Sequence, residues 1–205
     1  MYTVYTIPGS CSSGITVLME KLQLEYTAVK REDVEDYTAI VPTNQVPALK
    51  TADGQIITEG AAIVLYLLEK HNSPMLPRDL SEKAEFLRWL MFDYATLHPA
   101  YGKMFAVLYR VQLDEADKKQ ILQQLASGVI GLWAILDKEL EQKKFITGDE
   151  PTVVDYLATV YASWGKTFQD VDIPLGDNVE RLVAEVSSLP EFQAGYKKEN
   201  IEYQR

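Results

Sequence analysis

Cys11 is the only cysteine of the chain, and it stands among hydroxyls in the run Ile7-Pro8-Gly9-Ser10-Cys11-Ser12-Ser13-Gly14. Strand-like Val4-Tyr5 precedes this run. Ile15, Leu18, Met19 and Leu22 follow it at helical spacing, so the cysteine falls at a strand-to-helix turn. A helix N-terminus favours a thiolate and is expected to lower the pKa of Cys11. Ser10, Ser12 and Ser13 either cap the helix or donate hydrogen bonds to the sulfur of a bound thiol. The plainer reading of Cys11 is a small buried hydrophobe. Gly14 occupies the place of the second cysteine in a Cys-x-x-Cys motif. Two-thiol redox chemistry within one chain is therefore excluded, while exchange with an external thiol stays open.

Residues 43–67 carry a second constellation. Val46-Pro47 leads into a short strand, Ala48 to Thr51, Asp53-Gly54 makes a hairpin turn, and Ile56-Ile57 form the return strand. Thr58-Glu59-Gly60 then opens a helix that is apolar almost all round. Proline cannot donate a ladder hydrogen bond, so pairing stops at Pro47. If the Val46–Pro47 bond is cis, the main-chain groups of Val46 face a ligand, and an extended peptide can pair there as an added strand. The N–H groups of Gly60 and Ala61 suit a carboxylate. Glu59, expected as a buried-edge carboxylate, suits an ammonium group. An α-amino acid carries both charges on one carbon. The bland alternative for Glu59 is an acid in a helix first turn.

Other motifs fail. Gly9 and Gly14 have phosphate-loop spacing, but Ile15-Thr16 replaces the required Lys-Ser/Thr. The two histidines, His71 and His98, are surrounded by no metal-ligand cluster, so no metal is expected. His98 lies in Tyr94-Ala-Thr-Leu-His-Pro-Ala-Tyr, near the expected end of a long helix that it caps or merely fills out before Pro99. Tyr101, Met104, Phe105 and Tyr109 form an aromatic stripe that reads as core or as the wall of an apolar pocket.

The elements that position these residues differ between the two parts of the chain. Residues 1–73 read as a strand, a helix, a strand at Tyr26–Lys30, a poorly patterned segment to Val41, then the hairpin and the apolar helix. A strand–helix–strand unit implies parallel pairing and the hairpin adds an antiparallel pair, giving a small mixed α/β sheet with helices on both faces. Residues 74–80, with two prolines, read as a linker. Residues 81–205 read as an all-helical domain. Asp79 and Glu82 make a capping-box pattern opening a helix through Trp89 and Phe92. Asp114 starts a second helix, in which Gly128 and Gly131 are expected to allow close helix contact. Thr152 and Asp155 form a box before Tyr156–Phe168. A last helix is expected near Asn178–Ser187, ended by Pro190.

With 205 residues, 47% of them hydrophobic, the chain has enough apolar material for one or two cores. A net charge of −10 without a basic block argues against nucleic acid or an anionic membrane as partner. The apolar run Ala61–Leu68 is too short to span a bilayer. The strand-like start at Tyr2 leaves no charged-then-apolar leader, and one cysteine excludes an internal disulfide framework. A soluble cytoplasmic protein is expected.

Taken together, the Pro-Gly-Ser-Cys-Ser turn, the Asn-Gln-Val-Pro-Ala-Leu strand and the Thr-Glu-Gly helix start resemble the cytosolic glutathione transferases, above all their bacterial, beta-like members. The resemblance covers the whole chain. It implies a thioredoxin-like glutathione-binding domain followed by an all-helical domain. It makes glutathione the co-substrate, with Glu59, Gly60 and Ala61 holding its amino-acid head and Val46, before a cis Pro47, pairing with its cysteinyl main chain. The sulfur would lie near Ser10, Cys11 and Ser12, with His98 matching the histidine of the beta-like Leu-His segment. Tyr101, Met104, Phe105 and Tyr109 would line the site of a small hydrophobic electrophile, and the chain would pair as a homodimer.

Departures from the beta-like pattern are visible. Thr6 replaces its tyrosine, with Tyr5 one step off and read as a packing residue. Asn44, able to take a left-handed turn, stands in for a glycine. Gly60 replaces a common serine or threonine, so the carboxylate clamp relies on backbone donors. Lys30, Arg31 and Asn44 are the candidates for the glycyl carboxylate. The expected activity is conjugation of the glutathione thiolate to small hydrophobic electrophiles. The alternatives are a glutathione-dependent disulfide reductase or peroxidase using Cys11, and a non-catalytic interaction protein of the same fold.

Overall fold

Successive residues of the first strand face opposite ways, and this divides the sheet's two faces between two apolar clusters. In the computed structural model, which describes residues 1–204, β1 (Tyr2–Thr6) pairs in parallel with β2 (Tyr26–Lys30) and antiparallel with β3 (Ala48–Lys50), which pairs antiparallel with β4 (Ile56–Thr58). The order is β2-β1-β3-β4. Val4 stands opposite Leu49, and Leu49 opposite Ile57, and all three join the main core. Tyr5 stands opposite Ala48, and these two pack on the other face with Tyr37 and Val41. Tyr37 belongs to α2 (Tyr37–Ile40), a single turn capped by Asp36, which accepts from Ala39 N, in the segment that carried no clear pattern. Tyr5 is thus a packing residue, edge-on to Tyr37 at 5.5 Å between ring centroids.

α1 (Ser12–Lys21) has its first eight residues, Ser12 to Met19, buried. A helix with one apolar stripe cannot bury that much surface against a sheet alone. Here α1 also packs against α7 (Val153–Ser163) and α9 (Pro190–Lys198). A Cβ on Gly195 would sit 2.9 Å from the main-chain nitrogen of Val17, so only glycine lets α9 cross α1 this closely. The main core accordingly runs without a break from Val4 and Ile15 to Leu157, Phe192 and Tyr196.

The remaining helices are α3 (Gly60–Lys70), α4 (Leu80–Phe92), α5 (His98–Tyr109), α6 (Glu115–Glu139) and α8 (Asp177–Ser187). The expected N-caps form, but among the described residues only Thr152 and Asp155 complete a capping box, and Asp79 caps α4 without a return bond from Glu82. Asp79 accepts from Ser81 N and Glu82 N, Asp114 accepts from Asp117 N, and Thr152 and Asp155 make a reciprocal box. Asp155 also accepts from Ile146 N at 2.8 Å and so ties α7 to the preceding loop.

Several expectations need correction. Pro190 does not simply end the last helix: it is the first residue of α9, where its fixed φ and missing N–H fit as well as they fit a helix stop. Nothing lies within 4 Å of a Cβ placed on Gly128 or Gly131, so these two glycines mediate no close helix contact. The helix after Thr152 ends at Ser163 and continues as a 3-10 turn, Trp164–Thr167. His98 does not cap α4. A π-turn, Asp93–Leu97, joins α4 to α5, and His98 opens α5.

Candidate active site

The loop between β1 and α1 is tied down by its own hydroxyls and by the C-terminal segment. Ser12 Oγ accepts from Ile7 N and donates to Ile7 O, each at 3.1 Å, and Ser10 Oγ accepts from Ser12 N at 3.2 Å. Ser13 Oγ accepts from Gly9 N at 2.9 Å and donates to Glu199 Oε2 at 2.6 Å. Trp164 Nε1 donates to Gly9 O at 2.8 Å. Gly9 itself has φ +75°, a conformation that favours glycine. Ser12 and Ser13 are therefore structural: both are buried and their hydroxyls are engaged within the protein.

Cys11 precedes the first residue of α1 and points at the turn before β3, with its Sγ 3.6 Å from Val46 O as donor. It is only 6% exposed, and burial pushes its thiol up to about 12. The Ser10 hydroxyl and the N–H groups of Cys11 and Ser12 pull the other way, and the Glu199 carboxylate adds to the rise. This corrects the expected lowering: the helix N-terminus acts as anticipated, but removal of the sulfur from water outweighs it. At neutral pH Cys11 is a thiol and a hydrogen-bond donor.

Facing Cys11 is a cleft of about 370 Å³ whose walls include Val46, Pro47, Glu59, Gly60, Ala61 and His98. The Val46–Pro47 peptide is cis, and Asn44 takes the left-handed conformation at φ +57°. Gly60 opens α3 with no side-chain cap on its N–H groups. Glu59 has φ +67° and ψ 112°, outside the conformations an L-residue adopts freely. It is also exposed at the cleft's mouth, where a buried-edge position was expected. His98 stands edge-on to Tyr161 at 5.7 Å and to Trp164 at 5.4 Å, and burial lowers its pKa, so it is neutral at pH 7.

Not every candidate reaches the cleft. Ser10, Ser12 and Asn44 do not line it, although Thr43 and Gln45 beside Asn44 do. The Asn44 carbonyl accepts from the Arg31 guanidinium at 3.1 Å. Tyr101 and Met104 are fully buried in the core, the Tyr101 hydroxyl accepting from Trp133 Nε1 at 3.0 Å. Phe105 and Tyr109 stack on each other along α5, and Tyr109 is exposed. In their place Met91, Tyr94 and Ala95, from the end of α4 and the π-turn, form the wall opposite the sheet. The four-residue spacing of Tyr94 and His98 was the signal in the sequence that could have found Tyr94. Among the described residues, no group of three or more His, Cys, Asp or Glu is placed to hold a metal ion, and no helix is long and apolar enough to cross a membrane.

Residues 9–70 match the family model for the glutathione S-transferase N-terminal domain. The chain is 30% identical to glutathione S-transferase Y-2 of Pichia kudriavzevii, over 82% of this chain and 84% of that one. It is 26% identical to glutathione S-transferase GstA of Escherichia coli O157:H7, over 95% and 96% of the two chains. Among solved structures, a sphingomonad glutathione S-transferase complexed with glutathione superposes with TM-score 0.83 at 25% identity, covering 97% of this chain and 98% of that chain. The glutathione-S-transferase from Xylella fastidiosa shares the fold with TM-score 0.86 at 21% identity, covering 98% and 100%.

Proposed function

The chain belongs to the glutathione S-transferase family, and from that premise we propose that it binds glutathione in the cleft before Cys11 and conjugates the intact tripeptide, through its thiolate sulfur, to small hydrophobic electrophiles. The observation that carries this reading is convergence: an open strand end at Val46, the uncapped start of α3, the Glu59 carboxylate and the Cys11 thiol all border one cavity. The γ-glutamyl head seats its carboxylate on the N–H groups of Gly60 and Ala61 and its ammonium by Glu59. The cysteinyl main chain pairs with Val46. That register delivers the sulfur to Cys11.

Cys11, held as a thiol, donates to the glutathione sulfur and stabilises it as a thiolate. The start of α1 favours the same charge. His98, neutral in the same cleft, is the group able to accept the thiol proton. Met91, Ala95 and Pro47 supply the apolar wall for an electrophile. A mixed disulfide at Cys11, the reductase route, needs a thiolate there, and a thiol pushed up to about 12 does not supply one at rest.

In this proposal residues 1–73 form the glutathione-binding domain, 74–80 the linker and 81–205 the helical domain, and the protein acts as a cytoplasmic homodimer in detoxification without a metal. Calorimetric titration with glutathione, followed by turnover of an activated aryl halide, tests the reading. Saturable binding and conjugation are expected, and no heat of binding refutes it.

A further inference from the structure

Gly60 and Tyr94 occupy one another's space. An ideal Cβ built on Gly60 would overlap the Tyr94 side chain at Cε1, Cζ and the hydroxyl oxygen. A tyrosine from the far wall thus fills the volume that a side chain at the first residue of α3 would take. Its hydroxyl is buried and, among the described residues, has no hydrogen-bond partner. A buried hydroxyl left without a partner is destabilising, so a native structure that keeps one calls for an explanation. The N–H groups beside it at the start of α3 have no side-chain cap, and Tyr94 and Gly60 both line the same cleft.

The backbone places the ring there by two unusual means. The π-turn Asp93–Leu97 inserts an extra residue between α4 and α5 and so re-aims the side chains of that segment. The strained Glu59, at φ +67°, sets the start of α3 against it. Gly60 is then the only residue type that leaves room.

We propose that Tyr94 is a glutathione-binding residue whose hydroxyl donates to the γ-glutamyl α-carboxylate seated at the start of α3, in place of a side chain on residue 60. This rests on the glutathione reading above. Burial and the neighbouring Cys11 and Asp93 groups hold the Tyr94 phenol far above its ordinary value, so it carries its proton as a donor throughout the working pH range. The same carboxylate receives backbone N–H groups from one side and the phenol from the other. The clamp is therefore closed by the helical part of the chain.

The experiment is calorimetric titration of wild type and Tyr94→Phe with two ligands, glutathione and 4-aminobutyryl-cysteinyl-glycine, which lacks the α-carboxylate. The expected result is a loss of about tenfold or more in affinity of Tyr94→Phe for glutathione, with the two proteins binding the analogue alike. The thermal midpoint of the unliganded variant should equal or exceed that of wild type, because an unpartnered hydroxyl is removed. Unchanged affinity for glutathione, or an equal loss for both ligands, overturns the assignment while leaving the transferase reading in place. Failure of wild type to bind glutathione overturns both. Gly60→Ser should bind glutathione poorly, and adding Tyr94→Ala to it should restore binding, since the serine hydroxyl then has both space and the same carboxylate to meet.

Discussion

Ser13, in the first turn of α1, donates a 2.6 Å hydrogen bond to the carboxylate of Glu199, which follows the last helix. The same carboxylate accepts from Gly9 N at 3.3 Å and from Thr16 Oγ1 at 3.1 Å. Glu199 is 3% exposed, and burial raises its pKa against the pull of these donors. The C-terminal segment thereby buckles down the loop that carries Cys11, helped by Trp164 on Gly9 O.

Removing the buckle should be costly. Glu199→Ala leaves buried donors without an acceptor and is expected to lose about 2–4 kcal/mol of stability in denaturant titration. Glu199→Gln keeps the shape and removes the charge, so it should cost less and should lower the Cys11 pKa that the carboxylate helps to raise. A Glu199→Ala protein as stable as wild type would contradict this account.

Cys11 should resist alkylation. With the thiol pushed up to about 12, only about one molecule in ten thousand carries a thiolate at pH 8. Iodoacetamide should modify the native protein at least about a hundredfold more slowly than the chain unfolded in guanidinium, where the thiol titrates near 8.5. Mass spectrometry of quenched time points reads both rates. Equal rates would mean that the sulfur is activated after all.

Glu59→Gly should separate binding from stability. Glycine relieves the cost of φ +67°, which is of order 1–3 kcal/mol, and gives back part of that gain through a more flexible unfolded chain. Stability is expected to hold or rise, while affinity for glutathione falls at least about tenfold with loss of the ammonium's partner. A clear drop in stability would mean that Glu59 has a structural role.

Asp155 gives the fold a distinct pH signature. It is fully buried, and burial raises its carboxyl from the ordinary 3.8 to about 6 even though it accepts from Ile146 N, Thr152 N and the Thr152 hydroxyl. A raised folded value means that the folded state binds the proton more tightly. The stabilising contribution is therefore complete below about 4 and is lost as pH rises through about 6. Other carboxylates work in the opposite sense, among them Glu85, which its bond with Arg88 holds at about 2. The test is therefore a difference: the stability advantage of wild type over Asp155→Asn, from denaturant titrations, should shrink by about 2–3 kcal/mol between pH 4 and pH 7. An advantage that grew over that interval would reverse the assignment.

Much of the fold and part of the site can be read from local pattern alone. Tyr26–Lys30, the hairpin at Asp53-Gly54 and the caps at Asp79, Asp114 and Thr152 depend on side chains reaching their own neighbours, so sequence spacing determines them. The same holds for the devices at Val46, Pro47, Glu59, Gly60 and Ala61, which lie on one strand-turn-helix unit. Pro190 shows the limit of local reading, because a proline satisfies a helix stop and a helix start equally, and only the packing of α9 on α1 chooses.

Tertiary structure alone decided what each group in the cleft can do. The acidity of Cys11 depends on how much water surrounds it, and the loop that carries it is fixed by segments as distant as Trp164 and Glu199. Tyr101 and Met104 have the periodicity of a pocket wall, yet the π-turn after α4 shifts the helical phase and sends them into the core. Met91, Tyr94 and Ala95 face the cleft instead. The chain itself determines that Val46 and Gly60 lie on one strand-turn-helix unit, at the strand end and at the helix start. Desolvation and helix phase, which no local pattern encodes, determine that Cys11 stays a thiol and that Tyr94 stands over the start of α3.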